Sequence, residues 1–85
     1  MSTPYYEIDQ ETQNIIMELK NKCMELNLGN ISFNYLGRRA GDDFIEFFLT
    51  EYKNHWDLVV KQRWAKTTDI YWIKGNDLDY QYSEK

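Results

Sequence analysis

Residues 44–64 read FIEFFLTEYKNHWDLVVKQRW, and whether this stretch is one helix or two strands decides the fold. Two periodicities compete in it. Phe44, Ile45, Phe48, Leu49, Tyr52, Trp56, Val59 and Val60 fall at the spacing of one helical face, and Asp43-Phe44-Ile45-Glu46 has the form of a capping box opened by Asp. Against that, Trp56, Leu58, Val60 and Trp64 alternate with Asp57, Lys61 and Arg63 at period two, the pattern of a half-buried strand. A helix carried as far as residue 64 would put Arg63 in the apolar arc and Trp64 on the polar one. We therefore read two strands joined by a turn at Lys53 to His55, and keep as the alternative a second helix over 43–60 with a smaller sheet.

The flanking sequence extends the strand reading. Twelve of the fourteen aromatic residues lie between Phe33 and Tyr82, with Val59, Val60 and several isoleucines among them, which is strand chemistry. The expected strands are Ile31 to Leu36, Phe44 to Tyr52, Trp56 to Trp64, Asp69 to Lys74 and Leu78 to Tyr82, separated by turn-like stretches at 37–43, 53–55, 65–68 and 75–77. Upstream, Ile15, Ile16, Leu19, Cys23 and Leu26 mark one face of a helix from about Asp9 to Leu28. Glu7, Asp9 and Glu11 near its start and Lys20 and Lys22 later on suit the helix dipole, and Gly29 is the expected stop. Thr3 and Pro4 offer an earlier start. The fold class is α+β: an N-terminal helix packed on an antiparallel meander of four to five strands, with Leu19 and Trp56 in the core.

Eighty-five residues suffice for one domain, spanning 1–85, and its 42% apolar and 28% charged content is that of a globular chain. A lone cysteine, Cys23, cannot form an internal disulfide, and residues 1–30 show no basic segment followed by an apolar one. No run approaches the roughly 20 apolar residues of a membrane span. The expected location is therefore the cytoplasm. The net charge of −4 is uneven, with five acids against two lysines in residues 1–30 and four against two in residues 67–85. An acidic chain repels a nucleic-acid backbone, so nucleic acid is the weaker partner class.

Nothing in the chain assembles a catalytic set. His55, the only histidine, lies two residues before Asp57 and so could pair with it as base and orienter, yet Ser2, Ser32 and Ser83 lack a nucleophile's context and Cys23 sits on the apolar helical face. One His and one Cys far apart give no zinc pattern, and Asn76-Asp77-Leu78-Asp79 lacks the repeating acids of a calcium loop. Gly29, Gly37, Gly41 and Gly75 are scattered and form no phosphate loop. No metal, cofactor or enzymatic activity is expected.

Binding features remain. Asp77, Asp79, Tyr80 and Tyr82 alternate acid with aromatic in the last strand, and Asp42 and Asp43 add charge on a hairpin loop, so these six are the expected partner-binding residues. On a strand, Phe44 and Phe48 would face opposite to Ile45, Phe47 and Leu49, and one helix cannot cover both faces. The uncovered face is expected to bind another protein, or a second copy of the chain in a homodimer. The function expected is a non-enzymatic protein-binding module, of the inhibitor or immunity type, that occupies a functional surface of a larger partner. The alternative is a nucleotide- or nucleic-acid-binding domain with Arg38 and Arg39 on phosphate and strand aromatics stacking on bases.

Overall fold

A computed structural model of the chain describes residues 8–36, 44–63 and 66–84. One helix, α1 (Gln10–Glu25), precedes five strands: β1 (Asn30–Leu36), β2 (Phe44–Glu51), β3 (Trp56–Gln62), β4 (Thr67–Lys74) and β5 (Asp77–Glu84). The strands lie in chain order, each antiparallel to the next. This is the α+β meander expected from the sequence, with all five strands formed.

The second-helix alternative over 43–60 is overturned by burial. Ile45, Phe47 and Leu49 on β2, and Trp56, Leu58 and Val60 on β3, are buried, while the residues between them are half-buried or exposed. That period of two is the pleat of a sheet with one covered face. The turn between the strands runs from Tyr52 to His55 and is closed by the Tyr52 amide donating to the His55 carbonyl at 2.8 Å. From β4 to β5 the chain needs only Gly75 and Asn76, since Lys74 pairs directly with Asp77. Gly75, at φ 61°, supplies the positive φ that a two-residue hairpin loop demands at its first position.

Helix α1 is capped by Asp9, whose carboxylate accepts the Thr12 amide at 2.8 Å; the earlier start offered by Thr3 and Pro4 lies outside the described residues. Its end also differs from the expected glycine stop. Asn27 takes the left-handed conformation at φ 57°, the Leu28 amide donates to Cys23 O at 2.8 Å and the Asn27 amide to Met24 O at 3.3 Å. Those two bonds form a Schellman cap, completed at Leu28, one residue before Gly29.

The buried stripe of α1 is Thr12, Ile16, Lys20 and Cys23, with Met17 and Leu19 packed beside it. Leu26 is exposed, and Leu19 is half-buried where a core position was expected. The face is rotated because two polar residues lie at its centre: Lys20 lends its aliphatic stem to the core, and Thr12 its methyl. The core beneath joins Ile8, Ile16 and Cys23 to Phe47, Leu49, Leu58, Val60, Tyr71 and Ile73. Phe33 of β1 stacks on Phe47 at 4.9 Å, and Tyr80 of β5 meets Tyr71 edge-on at 5.4 Å, closing the core at both sheet edges. No described helix is long and apolar enough to cross a membrane.

Two changes test this account of α1. Among the described residues the buried Thr12 hydroxyl finds no partner, so Thr12→Val, which keeps the shape, is expected to stabilise the fold by about 1–2 kcal/mol in urea denaturation. Asn27→Ala should cost about 1 kcal/mol, since its Cβ chain loses the local polar support Asn has at positive φ, whereas Asn27→Gly should be neutral or stabilising.

Candidate functional site

The register of the sheet composes its uncovered face row by row. Ser32, Phe48, Val59, Ile70 and Tyr82 are successive cross-strand partners, so a single row from β2 to β5 is apolar or aromatic. On one side of it runs the row Asn30, Thr50, Asp57, Trp72 and Asp79. On the other runs Asn34, Glu46, Lys61, Thr68 and Glu84. Ile70 is buried by its neighbours on this face, Phe48 and Val59 are half-buried, and Tyr82 stands 52% exposed at the β5 edge.

A bulge puts Tyr82 there. Tyr71 pairs with Tyr80, but Ile70 pairs with Tyr82, so Gln81 has no opposite residue. The extra residue changes the face to which the following side chains point. Tyr80 therefore lies on the helix side, Tyr82 on the open side, and Ser83 turns inward to donate its hydroxyl proton to the buried Asp69 carboxylate.

Aromatic stacking fills the end of the face nearest the β2–β3 turn. His55 lies between Tyr52, at 5.3 Å, and Trp72, at 4.4 Å, in two near-parallel stacks. Lys74 Nζ sits 5.6 Å from the Trp72 ring centre, and Lys61 Nζ 5.4 Å from that of Phe48. Both ammonium groups thus face aromatic clouds, a weak attraction that also shields ring surface from water. The charges on the face are Glu46, Asp57, Asp77, Asp79 and Glu84 against Lys61 and Lys74, so it is acidic. Asp57 is half-buried between Thr50 and Trp72, and burial pushes its carboxyl above the usual range while nearby His55 partly lowers it.

Of the residues expected to bind a partner, Asp77, Asp79 and Tyr82 come together on this face. Tyr80 does not, being half-buried against the core. Asp42 and Asp43, and the alternative phosphate pair Arg38 and Arg39, lie outside the described residues. Sequence reasoning missed Val59, Ile70, Trp72 and Asp57, whose grouping depends on turn lengths and the bulge. Cys23 is enclosed in the core, where burial raises its thiol pKa and so disfavours the thiolate. Among the described residues no three His, Cys, Asp or Glu gather as metal ligands. No protein-family model, curated protein or solved structure matches the chain, so its fold and chemistry are the ground for a functional reading.

The raised Asp57 carboxyl has a stability consequence. With its folded pKa above the unfolded one, the ionised group opposes folding at neutral pH, and the penalty fades as pH falls through the folded value. Asp57→Asn is expected to raise the melting temperature at pH 7, with the gain shrinking towards zero in acid. A gain independent of pH would show that desolvation of the charge is not its source.

Proposed function

We propose that this chain is a non-enzymatic protein-binding module, of the inhibitor or immunity type, that lays the open face of its sheet on a basic functional surface of a larger protein. The observation that carries this reading is the row Phe48, Val59, Ile70 and Tyr82 bordered by carboxylates. An apolar centre with a charged rim is the anatomy of a protein interface, and aromatic residues are over-represented among its energetic hot spots. The acidic rim selects a basic partner and speeds encounter with it. Asp57 fits the same scheme, because a partner Arg or Lys set against it would offset the cost of its burial.

The same charges weigh against the other occupants. Two copies meeting through this face would bring like-charged rims together, which disfavours a homodimer built on it. A phosphate backbone would be repelled as well, and both lysines of the face are already set over rings.

Tyr82 is exposed enough to remove without harm to the core, so Tyr82→Ala should leave the melting temperature within a few degrees of wild type. Immobilised wild-type chain is expected to retain one stoichiometric protein from its host's extract, with a basic contact surface. Tyr82→Ala should weaken that complex by about 30-fold, the size of a hot-spot loss. A complex indifferent to Tyr82, or sedimentation of the purified chain as a dimer that Tyr82→Ala dissolves, would contradict the proposal.

A further inference from the structure

A cleft of about 250 Å³ opens at the end of the sheet where α1, the β2–β3 turn and the β4–β5 turn converge. Lys20 lies in its wall with only 5% of its surface exposed. Its ammonium donates to the Gly75 carbonyl, and among the described residues that is its one partner, with no carboxylate within ion-pair reach. An ammonium has three N–H donors, and the Gly75 carbonyl accounts for one of them, so a cation lining the cleft offers the others to an acceptor there.

The rest of the lining sets the ligand's other properties. Lys53 and His55 add basic groups, and among the described lining residues Glu51 is the one acid. Met24 and Tyr52, each 55% exposed, supply apolar surface beside Trp56. In a chain of net charge −4, the described lining of the cleft carries two lysines against one acid. Its volume falls below the roughly 300 to 1,000 Å³ of pockets that enclose a drug-sized molecule, so it has room for a single side chain or a small acid.

We infer that this cleft is a carboxylate-binding site, with the Lys20 ammonium as its anchor and Met24, Tyr52 and Trp56 as the seat for an apolar or aromatic body. The ligand class is a small monocarboxylic acid of that kind, either free or as the C-terminal residue of a peptide. Gly75 O holds the ammonium from one side and the carboxylate takes the remaining donors from the cleft side. The site is separate from the Phe48–Tyr82 row, so its loss leaves the proposed protein interface standing.

Phenylacetate is the probe, with phenylacetamide as its uncharged counterpart. Titrated into the ¹⁵N-labelled chain, phenylacetate should shift the amide resonances of Lys20, His55, Trp56 and Gly75 with a millimolar dissociation constant, and phenylacetamide should not. A tripeptide ending in phenylalanine, compared as free acid and as C-terminal amide, separates the two sources: tighter binding than phenylacetate by the acid form alone marks a peptide terminus, and equal or weaker binding marks a free acid. Lys20→Met keeps a stem of similar length in the core and should lose at least tenfold in affinity for phenylacetate. Acid and amide that shift the same resonances equally, no response of wild type below about 10 mM, or undiminished binding by a folded Lys20→Met would overturn the assignment. The acid–amide comparison on wild type decides the matter should that variant not fold.

Discussion

A five-strand sheet has two faces, and α1, sixteen residues long, covers one of them. The rest of the structure follows from that shortage. The covered face takes Phe47, Leu49, Leu58, Val60 and Ile73 out of water entirely, and the helix answers them with Ile16 and Cys23. The other face must meet solvent, yet β2, β3 and β4 each place an apolar or aromatic residue at the same level of it. The chain covers part of this surface itself, with Lys61 over Phe48 and Lys74 over Trp72. What stays open is a narrow apolar row with acids beside it, which is the form of a contact surface.

Much of the fold was legible because, of the two periodicities that compete over residues 44–64, the period of two is the one that carries on through β3 to Arg63 and Trp64 in the sequence. Trp56, Leu58 and Val60 alternate with Asp57, Val59 and Lys61, and no helical arrangement accommodates that order through Arg63. The helix face was read less well, since a pattern counted over apolar residues cannot anticipate Thr12 and Lys20 at its centre. Glycine tolerates positive φ best, which makes Gly29 the expected helix stop on sequence grounds, but Asn27 reaches that conformation first and its cap is complete without glycine.

The candidate site was legible in kind and not in membership. A second apolar face could be inferred from Phe48 lying between Phe47 and Leu49. Which residues share it depends on register, and register depends on hairpin lengths and on the bulge opposite Ile70 and Tyr71. Without that bulge Tyr82 would follow Tyr80 to the helix side, and the row would end at Ile70. Asp57 shows the cost of such a face, a carboxylate held where burial disfavours its ionised form.

The most direct test of the central claim is side-chain NMR of the open row with a soluble paramagnetic agent, in the free protein and in the complex with its captured partner. The account predicts that Phe48, Val59 and Tyr82 are relaxed in the free chain, that Leu58 and Ile73 are not, and that the partner protects the first group. Protection confined to other surfaces, with Phe48, Val59 and Tyr82 still relaxed in the complex, would contradict it.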